Sequence, residues 1–363
     1  MSKTIKIILG VVILVIIVIL VTVIYKPIPK ETIKIGVIAP LSGNLTFVGE
    51  GYRDAFLLAK ENSKNTKYNY ELIFEDDQMD PAKTATALQK LISIDKVNAV
   101  VSFASGPANV ISPIAEQNKI IHFGIATDPS SAKGEYNFMH WTPPSEEAKT
   151  FVAELQKRGI KKLGIFVTNQ QGVLATVAAI TEQLKSTNIE IVTEQKFNMD
   201  ERDFRTLIAK AKSSGAEIYL LETFPPQLEL LIKQIKEAGI SIPLTCIELV
   251  ESSDEAMKLF EGYWYVNSAD STTEFNKKFE DKYGKTPPPA AANGYDIFNM
   301  LVAAYEKAGK YEQPTPEKVI GALNQIKNFD GALGKLNMGP DGIVFSPAVV
   351  RMIKDGKPVT VSD

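Results

Sequence analysis

Four loop segments of this 363-residue chain carry side chains able to hold a small polar ligand. PLSGNLTFVGEG (40–51) offers Ser42 beside a glycine, and SFASGPAN (102–109) offers Ser105 and Gly106 just before a proline. IATDPSS (125–131) runs from Ile125 through Thr127 into an Asp-Pro turn. Hydroxyl and backbone N–H groups of this kind suit a carboxylate, helped by the positive end of a following helix. Each segment alone reads equally well as helix capping, where Ser, Thr and Gly are common. The fourth segment, PLTCIELVES (243–252), ends an apolar run on Glu248. A carboxylate buried at that point wants a cationic partner, and a ligand ammonium is one candidate.

Other chemistry finds little support. The chain has no Walker A, GxGxxG, HExxH or GxSxG pattern, which leaves nucleotide, metalloprotease and serine-hydrolase readings without a motif. A single cysteine, Cys246, excludes an intramolecular disulfide framework and Cys-rich metal sites. The two histidines, His122 and His140, stand in apolar surroundings. Asp76, Asp77 and Asp80 form an acidic cluster, but a strand before it and Pro81 after it favour capping over metal binding. A formal net charge of −3 argues against a nucleic-acid partner. Neither a metal nor a cofactor is expected.

The elements that must position these loops follow a regular order. Apolar, β-branched runs at 32–40, 70–76, 97–103 and 120–125 alternate with helical patterns near 49–62, 81–94 and 108–118. A second unit repeats the alternation, with strands at 161–168, 190–197, 217–223 and 243–249 and helices near 172–186, 202–213 and 227–238. Such alternation predicts parallel sheets covered on both faces, hence an α/β chain of two doubly wound lobes. After Tyr265 helical segments follow one another before short strands at 333–338, 342–345 and 347–354, so the chain is expected to return and cover the first lobe.

Ahead of this body, residues 7–25 form nineteen residues without a charge, long enough for a membrane-spanning helix. VTVIYKPIPK lacks a small-x-small cleavage site, which favours an uncleaved N-terminal transmembrane anchor over a signal peptide. The only charges in residues 1–30 are four lysines, so the remainder carries 36 basic against 43 acidic groups, a net of −7.

Taken in order, several motifs resemble the type I periplasmic binding proteins of the leucine/isoleucine/valine-binding family. They are IGVIAPLSGNLTFVGEGYRDAFLLAKE, FEDDQMDPAKTATALQKLISIDKVNAVVS, SGPANVISPIAEQNKIIHFGIATDP, YDIFNMLVAAYEKAG and FDGALGKLNMGPDGIVFSP, which together span essentially all of 32–358. The resemblance implies Rossmann-like lobes joined by a three-segment hinge, with crossings near 143–146, 265–270 and 327–340. The corresponding divisions are 1–30 for anchor and linker, 31–145 for lobe one and 146–266 for lobe two. Residues 267–330 would return to lobe one, and 331–363 would cross the hinge and end lobe two.

It further implies that Ser105, with the amides beside it at Gly106, and Thr127 hold a ligand α-carboxylate, while Glu248 holds the ammonium. Phe224 falls near a pocket aromatic of the family. Gln171-Gly172 stands where an aromatic-Gly pair is usual, and Trp141 where many members carry an arginine near the first crossover. The implied function is an extracytoplasmic, membrane-anchored receptor, not an enzyme. It would take an amino acid or amide-like ligand and deliver it to the permease and ATPase subunits of an ABC importer. A ligand-sensing ectodomain of the same fold is the alternative, disfavoured because only six residues precede the apolar run.

Overall fold

In the computed structural model the described residues are 30–361, apart from 44 and 311. The segment 7–25 read as a membrane anchor lies outside them. Among the described residues no helix is long and apolar enough to cross a membrane.

The chain begins with five strands, β1 (Thr32–Ala39), β2 (Asn69–Asp76), β3 (Ala99–Phe103), β4 (Ile121–Ile125) and β5 (Asn137–His140). Four more follow: β6 (Lys162–Thr168), β7 (Glu190–Phe197), β8 (Ile218–Glu222) and β9 (Leu244–Thr245). Then come β10 (Trp264–Ser268), β11 (Phe329–Gly331), β12 (Gly334–Met338), β13 (Ile343–Phe345), β14 (Ala348–Lys354) and β15 (Lys357–Thr360).

These strands build one sheet in each lobe and a small third sheet. The first lobe's sheet has the order β11-β12-β13-β5-β4-β3-β1-β2, and the second lobe's has β7-β6-β8-β9. The third, antiparallel sheet is β10-β14-β15. Strands β1 to β5 and β6 to β9 pair in parallel. Their central members, such as β4 and β8, are buried throughout, as strands covered on both faces must be.

The first lobe's core packs Ile35, Val37, Val101 and Phe123 of its sheet against Phe56, Phe298 and Leu301. These last three come from the helices Thr46–Asn62 and Ala291–Ala308, so the late helix does cover the first sheet. The second lobe carries apolar clusters on both faces, around Phe204 and Leu231 on one and around Phe151 and Ile180 on the other.

Three features differ from the sequence reading. Residues 137–140 form the additional strand β5; four wholly buried residues are too few to show alternation. Of the run 243–249 only Leu244–Thr245 pairs with β8; Ile247 then makes a lone parallel bridge to Val266 of β10, and Glu248, with a φ of 64°, turns the chain away. The third crossing is also later than 327–340. Strands β12 and β13 join the first sheet, β13 in parallel with β5, and the chain passes over only at Ser346-Pro347 before β14. Two short antiparallel strands near the chain end do not reveal in sequence which sheet they extend.

Where the lobes meet, the first two crossings are bonded together. The Thr142 and Ser268 hydroxyls lie 2.7 Å apart. Further out, Asn109 of the helix Ser105–Asn118 donates its amide N–H to Gln171 Oε1 at 2.9 Å, linking it to the helix Gln171–Leu184.

Candidate functional site

The carboxyl ends of β3, β4, β8 and β9 converge on a cavity of about 560 Å³ between the lobes. This is where an open parallel sheet presents loops and helix N-termini to a ligand. From the first lobe it is lined by Phe103, Ser105, Ile125, Thr127 and Trp141. From the second lobe Gly172, Glu222, Phe224 and Glu248 face it.

On the first-lobe wall, Ala104 has a φ of 69°, so the chain leaves β3 sharply and starts its helix at Ser105. The Ser105 Oγ accepts from the backbone N–H groups of Thr127 and Asp128, each at 3.1 Å. Those two bonds use its lone pairs and leave its own O–H to donate. They also lock the loop after β4 against the start of the helix. Asp128 completes the corner, accepting from the Ser130 N–H at 2.9 Å and from Asn109 Nδ2 at 2.7 Å. The wall therefore presents a hydroxyl donor at a helix N-terminus with the Thr127 side chain beside it, an arrangement suited to a carboxylate.

The opposite wall is acidic. Glu248 accepts a hydrogen bond from the Trp141 indole N–H across the lobe boundary, and its backbone N–H reaches the Val266 carbonyl at 2.8 Å. Burial raises the Glu248 carboxyl above its ordinary range, opposed by bonds from Glu147, Trp141 and Ser268. Glu222 ends β8, is 2 % exposed, and accepts the Ile247 N–H at 2.8 Å. Burial pushes it well above the usual carboxyl range, and the nearby Glu248 pushes in the same direction. Among the described residues, no Lys, Arg or His lines the cavity.

Of the residues singled out from the sequence, Ser105, Ile125, Thr127, Phe224 and Glu248 are brought together around the cavity. Ser42, Gly106 and Gln171 are not part of its lining. The Ser42 hydroxyl donates to Asp76, and Gln171 turns to Asn109, leaving Gln170 to face the cavity. Asp76, Asp77 and Asp80 serve turns and a helix cap, Asp80 accepting from the N–H groups of Ala82 and Lys83 at 2.9 Å.

Two acids of the site escaped the sequence reading. Glu222 ends the apolar run EIYLLET, the same signal that marked Glu248. Glu147, behind Glu248, gave none, since an acid in the first turn of a helix is ordinary.

The sequence profile described as "Periplasmic binding protein" matches residues 32–357. A Leu/Ile/Val-binding protein homolog 7 of Brucella abortus is 25% identical over 334 residues, covering 84% of this chain and 79% of the relative. Among solved structures, a leucine-binding protein from Thermotoga maritima superposes with a TM-score of 0.83 at 23% identity, covering 91% of this chain and 98% of that one. A solute-binding protein of an ABC transporter from R. palustris, in complex with benzoate, gives 0.81 at 19% identity, covering 92% and 96%.

Proposed function

This chain belongs to the periplasmic binding protein family, a binding protein and not an enzyme, and from that premise we propose that its ligand is an amino acid, branched-chain or related. Ser105 and Thr127 take the α-carboxylate, Glu248 takes the ammonium, and the apolar wall of Phe103, Ile125 and Phe224 covers the side chain. The cargo then passes to the permease and ATPase subunits of an ABC importer, with the body outside the cytoplasm and residues 7–25 tethering it.

One observation carries the choice of ligand: the two walls are of opposite chemistry. A hydroxyl donor at a helix N-terminus faces Glu222 and Glu248 across the same cavity, and no basic side chain of the described residues lines it. A zwitterion finds both its charges answered. An aromatic acid such as benzoate would bring a negative charge to buried acids with no cation to offset it, which costs several kcal/mol, on the order of the penalty for an unpaired buried charge. Because closure buries contacts from both lobes, the ligand binds the closed form more tightly and draws the protein toward it.

Calorimetry of the protein against a panel of amino acids, with benzoate alongside, tests the reading. Binding confined to α-amino acids is expected. Silence across the amino acids, or a preference for benzoate, overturns it.

A further inference from the structure

Glu147 is fully buried, and no N–H or hydroxyl of the described residues reaches either of its carboxyl oxygens. It lies in the first turn of the helix Pro144–Lys157, where its carboxyl makes hydrogen-bond contact with that of Glu248 from behind the cavity wall. Two bare carboxylates in such contact repel each other. A proton held between them turns the repulsion into a charge-assisted O–H···O bond.

The surrounding charges offer Glu147 no other relief. Just past the end of its own helix, Arg158 is engaged with Glu154 at 2.7 Å and lies over the Trp264 ring of β10. On β14, Arg351 is held by Glu251 and Asp270, and Tyr265 of β10 donates to that same Glu251. In the neighbouring helix Gln171–Leu184 the one acid, Glu182, pairs with Lys185 at the surface. From β8 comes a further acid, Glu222, and His140 of the first lobe is turned to Asp296 at 3.6 Å.

We propose that Glu147 is a positioning residue that stays protonated in the working protein, donates its O–H to Glu248, and so fixes the Glu248 carboxylate toward the ligand's cationic group. Burial, reinforced by Glu248 and Glu222, holds the Glu147 carboxyl well above its ordinary range. Glu248 receives three bonds that ease its ionisation, from Glu147, Trp141 and Ser268. The two acids thus divide the roles of donor and anion, as buried carboxyl pairs do when their surroundings differ. The effect on ligand rests on the proposed reading of Glu248; the proton on Glu147 does not.

Two measurements test the pair. Infrared spectra of the ligand-free full chain at neutral pH should show the C=O band of a buried, protonated carboxyl, and Glu147→Gln should remove one such component. A wild type with no protonated-carboxyl band overturns the proposal without any variant, as does a Glu147→Gln spectrum that keeps every component. With L-leucine as the probe, Glu147→Gln, which retains an N–H donor, should bind within about threefold of wild type, whereas Glu147→Leu should lose about tenfold or more. Equal leucine affinity in Glu147→Leu and wild type overturns the positioning role. If the wild type does not bind leucine, the comparison passes to whichever amino acid of the panel binds; silence across that panel removes the amino-acid reading, and the infrared result still decides the state of Glu147.

Discussion

Gly172 of the second lobe faces Ser105 of the first so closely that a Cβ added to it would lie 2.8 Å from the Ser105 Oγ and 3.4 Å from the Thr127 Cβ. The two residues belong to different lobes, each in the first turn of a helix, Ser105–Asn118 and Gln171–Leu184, and the lobes meet at this point. In Gly172→Ala the added methyl would hold the lobes apart at the point where the carboxylate site is assembled. Leucine affinity should fall about tenfold or more, in line with the 1–3 kcal/mol that overpacking costs. The same change favours the helix Gln171–Leu184 by ~0.8 kcal/mol, so the melting temperature should not drop. Calorimetry and a thermal melt on one sample separate the two effects, and unchanged affinity would count against closure at this contact.

Glu248→Gln keeps the shape of the side chain and an acceptor for the Trp141 indole N–H, and removes the charge. If Glu248 holds the ligand ammonium, the variant should lose on the order of 2–5 kcal/mol of amino-acid binding energy. Titration of both proteins with the same amino acid reads this directly, and equal affinities would take Glu248 out of the site.

Gln171→Ala tests the bond that spans the lobes without touching the cavity. It removes the acceptor of the Asn109 amide and leaves the Asn109 contact to Asp128 in place. The loss is one neutral hydrogen bond at a half-open surface, about 0.5–1.5 kcal/mol. It should appear as faster ligand dissociation in stopped-flow measurements, with association little changed. A dissociation rate equal to that of wild type would show that the bond does not hold the closed form.

Acid should weaken the first lobe through His122. The ring is fully buried, with Nε2 at 2.8 Å from the Ser102 hydroxyl and Nδ1 at 2.9 Å from Asn137 Oδ1. Asn137 directs its amide nitrogen to the Ser112 and Lys133 carbonyls, so its oxygen faces the ring and accepts from Nδ1–H. This neutral imidazole is satisfied on both sides, and burial lowers its pKa from 6.5 to about 4. The unfolded chain takes up a proton near the ordinary value while the folded one does not. Stability is therefore complete above that value, falls as pH drops, and levels off once the folded ring also protonates. The full loss is about 3 kcal/mol. Chemical denaturation at neutral and acid pH should give a correspondingly smaller difference in His122→Gln, and a difference of undiminished size would exclude His122 as its source.

Much of this molecule is legible from its sequence, and the residues show why. Strands such as β1 and β6 are long apolar runs bounded by turns, and the helices between them carry their apolar residues at helical spacing, so local pattern suffices. Glu248 stood out because an acid at the end of an apolar run is chemically conspicuous. Glu147 did not, because its proposed role comes from tertiary contact with Glu248 and from the nearby charge of Glu222, and no local pattern encodes that. Ser42 shows the reverse case: it sits in the right loop with the right chemistry, but Asp76 claims its hydroxyl. The crossing at Ser346-Pro347 escaped notice because strand pairing, not composition, decides where the chain changes sheets.

The hydroxyl bond between Thr142 and Ser268 also bears on the kind of motion the lobes can make. Three independent connectors would behave as a ball joint, free to twist as well as to swing. Two connectors fastened side by side turn as one axle, with the short passage at Ser346-Pro347 as a second bearing beside it. A closure of the kind proposed for ligand capture would then run as a door does, each swing bringing the Ser105 and Glu248 walls back into the same register.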